Sequence, residues 1–413
     1  MSAALKILFL TQTFPRFPND TAGPFIRELA RALVAGGDSV TVLTPHAPGV
    51  DRVWDVDGVR VESFRYAPEA LELVGYSRSL DRDESIRFGA FLATPLYLLG
   101  ARRKLRRVLR REAFDLLQTH WVVPNALVGA PFARRLPMGP GLHGSDVFLA
   151  ERSGVRQWVG RALARSSFLT GCSPELVDRV CALGFPRDRA AVIPYGVDVE
   201  SFSPSPSRAR AWREKLGVAD GAPLVLGVGR MVTKKGFHVL LEILPGLLEE
   251  FPKAHFCLGG EGDLLDAFRE RTSAWADRVH LPGIVLRDTL PDLYRAADIF
   301  VLPAVHDAQG NVDGLPNVIL EAMASGLPVV ASAISGIPQV IDDGVNGALV
   351  EEQNPEQLAE ALRALLAAPE RVRELGAASR ERAVRDLTWA TIAGRYRASY
   401  LDGLAVGMPG QAQ

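Results

Sequence analysis

Cysteine is scarce in this sequence: three residues in 413, Cys172, Cys181 and Cys257, with no CxxC pair. So sparse and odd a set excludes a disulfide framework or a zinc ribbon and fits free thiols in a reducing compartment. An excess of one charge is missing too. The 47 Lys and Arg against 48 Asp and Glu leave a net charge of -1, which argues against a general nucleic-acid binder. Nor is there a long apolar run. Spanning a bilayer takes about 20 apolar residues, and the best stretch, 88–101, is short and broken by Pro95. ILFL at residues 7–10 is too short for a secretory leader core and reads as a buried strand. A cytoplasmic protein is therefore expected, and the NDT sequon at Asn19 reads as a chance match. Three catalytic signatures also fail. GxGxxG breaks at Val232, no Walker A pattern occurs, and GCSPE around Ser173 lacks the last glycine of a nucleophile elbow. Dehydrogenase, ATPase and serine-hydrolase readings weaken accordingly.

What is present is alternation. KILFL, SVTVLT, DLLQTH and MGPGLHGSD read as strands separated by helix-forming segments, one of them starting at Asn125. APLVLGVGR, AHFCLGGEG, ADIFVLPA and LPVVAS restart the pattern in the second half. Such βα repetition predicts parallel sheets. The length favours two domains. Serine- and proline-rich DVESFSPSPSRAR places a linker near 200–208. The expected organisation is an N-terminal domain over 1–203, a C-terminal domain over 204–386, and a final helix over 387–413 that returns to the first domain. The fold class is α/β: two doubly wound, Rossmann-like domains facing a cleft. Ligands of such sheets bind beyond the carboxyl ends of the strands.

Two stretches suit a phosphate-bearing ligand. In LGVGRMVTKKGF, Gly227 and Gly229 allow a tight turn, and Arg230 and Lys235 follow. A forked guanidinium and a point-charge ammonium suit a diphosphate; a solvated basic turn is the alternative. In DGLPNVILEAMASG, residues 313–326, a helix begins near Pro316 or Asn317. The helix end at Pro316, Asn317 and Val318, where N–H groups are left free, favours an anion. Glu321 lies one turn in, within reach of a ribose, whose vicinal hydroxyls suit a carboxylate. An Asx turn for Asp313 and a solvent-edge glutamate for Glu321 are the alternatives.

These residues resemble the retaining glycosyltransferases of the GT-B fold, family 4. The likeness runs in order through CSPELVDRV, VIPYGVDVESFSP, GVGRMVTKKGF, LPGIVLRDTLPDLYRAADIFVLPA and DGLPNVILEAMASGLPVVAS. It implies a nucleotide-diphosphate sugar as donor, held mainly by the C-terminal domain, and no cofactor. Arg230 and Lys235 match the pair that neutralises the diphosphate. Glu321 matches the ribose-holding second acid of the family's E-x7-E pattern. The first acid is Asp313, one methylene shorter, so the pattern reads D-x7-E. Gly283, Ile284 and Val285 match the segment that meets the base through its backbone. LHGSDV matches the loop whose histidine, here His143, faces the donor sugar. FPNDTAGPFIREL occupies the place of the glycine-rich first loop, with Gly23 as its diphosphate contact. THWVVPN supplies His120, Trp121 and Asn125 as candidate acceptor-side groups.

The resemblance also implies transfer to a hydroxyl acceptor with retention. The leaving phosphate assists front-face attack, Asp313 orients the sugar, and His143 bonds its hydroxyls. Arg230, Lys235 and the helix end would replace a metal by fixed electrostatics, so none is expected. DVD at 55–57 reads as a hairpin turn rather than a metal motif. ARRKLRRVLRR offers Arg102, Arg103, Lys104, Arg106, Arg107, Arg110 and Arg111 as a peripheral contact with anionic lipid on the inner face of a membrane, or as a solvated helix face. The competing functions are a GT-B sugar-nucleotide epimerase or phosphorylase, and a non-catalytic sugar-nucleotide binder.

Overall fold

Strands buried on both faces must be nearly all apolar, and KILFL, with four of five residues buried, meets that demand as the first strand. The computed structural model describes residues 3–17, 20, 22–76, 88–151 and 153–406; Asn19 lies outside them. The chain divides into two units, residues 1–194 with 389–413 and residues 195–388. No helix of the described residues is long and apolar enough to cross a membrane.

The first unit carries β1 (Lys6–Leu10), β2 (Ser39–Pro45), β3 (Val53–Val56), β4 (Val59–Phe64), β5 (Leu116–His120), β6 (Met138–Leu142), β7 (Leu169–Gly171) and β8 (Ala190–Val192). They lie in the order β3-β4-β2-β1-β5-β6-β7-β8. All neighbours pair parallel except β3 and β4, an antiparallel hairpin. The DVD residues sit at that hairpin. Asp57 (φ 52) and Gly58 (φ 77) form its two-residue turn, and the Asp57 carboxylate pairs with Arg27 at 2.6 Å. After β5 the expected helix from Asn125 reduces to helical turns over Val122–Ala126 and Leu127–Gly129.

The last helix, Trp389–Val406, belongs to this first unit. The Arg397 guanidinium bonds Asp38 at 3.1 Å and the Ala3 carbonyl at 2.7 Å. Gly403 lets the helix lie on Phe168, whose ring would be 2.5 Å from a Cβ there.

The second unit holds β9 (Leu224–Val228), β10 (His255–Gly259), β11 (Val279–Gly283), β12 (Ile299–Leu302), β13 (Val329–Ser332) and β14 (Gly347–Val350). All are parallel, in the order β11-β10-β9-β12-β13-β14. The expected linker at 200–208 lies inside this unit, and the division falls at 194/195. Arg295 binds the Ser201 and Ser203 carbonyls, and Arg380 those of Val199 and Phe202. Serine and proline there mark turns of an anchored segment rather than a boundary.

The basic helix Phe88–Arg111 sorts its cations. Glu62 of β4, 1% exposed in its side chain, is paired with Lys104 at 2.9 Å, Arg111 at 2.5 Å and Arg60 at 2.9 Å. Arg102 donates to the Leu127 carbonyl at 2.8 Å. Arg103, Arg106, Arg107 and Arg110 are exposed, and none forms an ion pair with a described residue. Their i, i+3, i+4, i+7 spacing puts them on one face.

Burial alone would raise the Glu62 carboxyl, but its three cationic partners hold it down at about 2, against 4.5 for a free glutamate. A carboxyl lowered on folding stabilises fully above its unfolded value, and that contribution is lost as pH falls through the folded one. Glu62→Gln should therefore cost about 2–3 kcal/mol at pH 7, a deficit that shrinks between about pH 4.5 and 2.5. Urea unfolding of both proteins across that range checks this; a deficit that does not change with pH would refute it.

Candidate active site

In the second unit the chain runs from β9 outward through β10 to β11, then returns to β12 on the other side of β9. The loops after β9 and β12 therefore leave the sheet at its topological switch point, where doubly wound sheets hold ligands in a crevice beyond the carboxyl ends of their strands. Arg230 and Lys235 come from the first loop; Asp313 and the helix Asn317–Ala324 come from the second.

The two loops touch by backbone. Gly236 has φ +70, and a Cβ there would lie 1.6 Å from the Pro303 carbonyl oxygen. The Val305 N–H donates to the Lys234 carbonyl at 3.0 Å. This contact brings the lysines to Asp313. Lys235 Nζ lies 2.6 Å from one carboxylate oxygen and Lys234 Nζ 2.9 Å from the other. Burial disfavours the charge on Asp313, yet the two ammonium groups hold its carboxyl far below the usual carboxylate range. Sequence reasoning singled out Arg230 and Lys235 and passed over Lys234, whose partner lies on a loop far away in the chain.

Asn317 is the first residue of its helix and Pro316 the residue before it. Proline carries no N–H, so any donors to an anion there are Asn317 and Val318. The Asn317 amide oxygen is buried with no hydrogen-bond partner among the described residues. One turn in, Glu321 accepts from the Tyr294 hydroxyl at 3.0 Å, which also reaches the Val318 carbonyl at 3.2 Å. Burial lifts the Glu321 carboxyl above its ordinary value, and Arg287 and the Tyr294 bond pull partly against that. Tyr294 is the partner that a carboxylate among apolar neighbours requires. In the sequence it was one of several apolar positions of an amphipathic segment, packed here between Phe202 and Phe300. At the end of β11, Gly283 takes φ +75 and accepts from the Gly260 N–H at 2.8 Å. Ile284 is 62% exposed, and Val285 packs against Gly259.

In the first unit His143 follows β6 directly and His120 ends the adjacent β5. Their rings stack 5.3 Å apart, with His120 Nδ1 3.1 Å from His143 Nε2. Burial takes His120 down to about 3. It also lowers His143 well below the ordinary value, and the neighbouring His120 adds to this. Both rings are therefore neutral near pH 7. Phe25 and Trp121 flank His143 with ring centroids at 4.9 and 5.0 Å. Trp121 adopts φ 66, an uncommon conformation for a non-glycine residue. Asp146 accepts the N–H groups of Val122, His143 and Gly144 at 2.8, 3.3 and 3.0 Å. Burial raises it to about 6 despite those bonds. Gly23, at φ +68, precedes the helix Pro24–Ala35, and a Cβ there would approach the Thr13 carbonyl at 3.2 Å.

Two acceptor-side candidates need correction. Asn125 is fully buried, its amide donating to the His120 carbonyl and accepting from the Tyr97 hydroxyl, both at 2.8 Å. His120 is 1% exposed. Both are buried at the strand end beside His143 and are not exposed groups of an open surface.

Comparison with known proteins gives a consistent result. Residues 22–201 match the family model described as Glycosyltransferase Family 4, and residues 222–368 the model described as Glycosyl transferases group 1. The GDP-mannose-dependent alpha-(1-6)-phosphatidylinositol monomannoside mannosyltransferase of Mycolicibacterium smegmatis is 30% identical over 294 residues, covering 70% of this chain and 76% of that protein. Among solved structures, sucrose-phosphate synthase from Thermosynechococcus elongatus superposes with a TM-score of 0.78 at 21% identity, covering 97% of this chain and 100% of the other. HepE of Anabaena in complex with UDP gives 0.72 at 21% identity, covering 96% and 99%.

The Gly236 contact yields a graded test. Gly310, in the loop after β12, also has positive φ (77), but a Cβ there meets nothing within 4 Å. Gly310→Ala should cost about 1 kcal/mol from backbone strain, whereas Gly236→Ala should cost more than about 2 kcal/mol. Equal losses on chemical denaturation would contradict the packing argument.

Proposed function

The chain belongs to glycosyltransferase family 4, with the GT-B fold, and from that premise we propose that it transfers a sugar from a nucleoside diphosphate sugar to a hydroxyl acceptor. The observation that carries the reading is the meeting of the β9 and β12 loops at the carboxyl end of the sheet. It gathers Lys235 and a helix N-terminus, with Arg230 on the same β9 loop and Glu321 one turn below. Arg230, Lys235 and the N–H groups of Asn317 and Val318 receive the diphosphate. Glu321 takes the ribose hydroxyls, and the backbone of Gly283, Ile284 and Val285 takes the base. Gly23 is the diphosphate contact assigned to the first unit, and Trp121 the acceptor-side group.

The step itself is front-face substitution. The bond from the anomeric carbon to the β-phosphate oxygen breaks. The acceptor oxygen bonds the same face of that carbon, and its proton passes to the departing phosphate oxygen. The configuration is thereby retained. The cations and the helix end stabilise the charge growing on the diphosphate, so no metal is required. Asp313 orients the sugar, and His143 bonds one of its hydroxyls. Because the curated relative is GDP-mannose-dependent, GDP-mannose is the first donor to try, with UDP-glucose beside it.

A second observation bears on the partner. Leu96 and Leu99, 42% and 64% exposed, precede the exposed arginines 103, 106, 107 and 110 on one helix. Apolar anchors beside cations suit an anionic lipid surface, which would bring a lipid-linked acceptor to the enzyme.

Glu321→Ala should weaken nucleoside diphosphate binding by about 1–3 kcal/mol, leaving Tyr294 its bond to Val318. Calorimetry reads this, and unchanged affinity would remove Glu321 from the ribose. With labelled donor, anomeric analysis should show a retained linkage formed in EDTA. Epimerised donor, a sugar phosphate, or binding without turnover would favour the competing functions instead. Vesicles containing phosphatidylserine should retain the protein at low salt and lose it when Arg103, Arg106, Arg107 and Arg110 become Gln; equal retention would leave the patch a solvated face.

A further inference from the structure

We propose that Lys234 is a donor-positioning residue: it holds Asp313 so that Lys235 is released to the donor diphosphate. The inference rests on the reading of the second unit as the donor site and adds a residue and a division of labour to it.

One carboxylate serves two ammonium groups, each lysine on its own oxygen. The lysine side chains are only 10% exposed and the Asp313 side chain 25%, so water screens these charges weakly. Consider the cluster without Lys234. Asp313 and Lys235 would then neutralise each other. A diphosphate entering the crevice would have to break that pair, leaving a largely buried carboxylate uncompensated beside an incoming anion. With Lys234 present the three groups sum to one positive charge. Lys235 can turn to a phosphate oxygen while Lys234 stays on Asp313, and the carboxylate is never left alone. The geometry assigns the roles in this order. The Lys234 carbonyl is fixed by the Val305 N–H of the same loop that leads to Asp313. Lys235 stands next to Gly236, where the helix Phe237–Glu250 begins.

The shorter acid strengthens the case. An aspartate carboxylate stays close to its backbone, and here both its oxygens are within 3 Å of a lysine nitrogen. The carboxylate that orients the sugar is thus itself oriented by Lys234.

A double-mutant cycle tests this with GDP and UDP as probes, using calorimetry on the full chain and the donor KM and kcat. Lys234→Met should weaken binding of the nucleoside diphosphate about tenfold, and Lys234→Arg should keep it within about threefold of wild type. In the Asp313→Asn background, where no carboxylate needs holding, Lys234→Met should change affinity by less than about twofold. An equal loss in both backgrounds would overturn the proposal and make Lys234 a direct phosphate ligand. A fall in Tm that Asp313→Asn does not relieve, without a binding change in Lys234→Met, would overturn it in favour of a structural role. Wild type that binds neither GDP nor UDP would instead defeat the donor-site reading beneath it, which separates the two failures.

Discussion

One backbone contact sets up the proposed donor site of this protein. The Pro303 carbonyl occupies the space that a side chain on residue 236 would need. A parallel sheet that reverses its winding leaves two loops diverging from neighbouring strands, and nothing in that topology makes them meet. The missing Cβ lets them meet, and the Val305 N–H then fixes the Lys234 carbonyl. The charges follow from the contact. Two lysines on one loop reach one aspartate on the other, and the helix that begins at Asn317 starts a few residues beyond it.

The parallel sheets were legible because strands buried on both faces cannot hide their composition. LVLGV and IFVL are apolar throughout and KILFL after its exposed Lys6, and the segments between them are long enough for crossover helices. That Arg230, Lys235 and Asp313 lie in loops after strands, with Glu321 in the helix that follows, was legible for a related reason: the ends of the apolar runs mark where such loops begin. What the sequence concealed was partnership. Glu321 demanded a partner, but nothing near it in the chain said that the partner would be Tyr294. The two loops that share Asp313 are 78 residues apart, and their meeting depends on tertiary packing. Local composition misled at 200–208, where Ser and Pro resemble a linker. The carbonyls of that segment are claimed by Arg295 and Arg380, which no local pattern announces.

The basic helix shows how a run of like charge can hold two populations. Lys104 and Arg111 are needed by Glu62, a carboxylate on β4 that could not be buried without them. Arg102 is needed by the Leu127 carbonyl. Removing either would be felt as lost stability. The arginines at 103, 106, 107 and 110 contribute nothing comparable to the fold, so their cost in mutual repulsion has to be justified by solvent or by a partner. Sequence spacing alone cannot divide the seven in this way. The positions of Glu62 and of the Leu127 carbonyl do.

The two units solve opposite electrostatic problems. The second gathers positive charge and moderates it with a single carboxylate, which suits an anion that must bind, gain charge as its bond breaks, and leave. The first packs a buried His120 and a half-buried His143 against each other and against Phe9, Phe25 and Trp121. Burial keeps those rings neutral. A neutral imidazole can donate or accept a hydrogen bond from a hydroxyl, whereas an imidazolium would draw phosphate toward itself. Asp146 belongs to the same design. Its carboxylate is spent on three backbone N–H groups, so it fixes the loop that carries His143 and does not draw a proton onto that ring. Charge is thus concentrated at the proposed diphosphate site and removed from the histidine assigned to sugar hydroxyls.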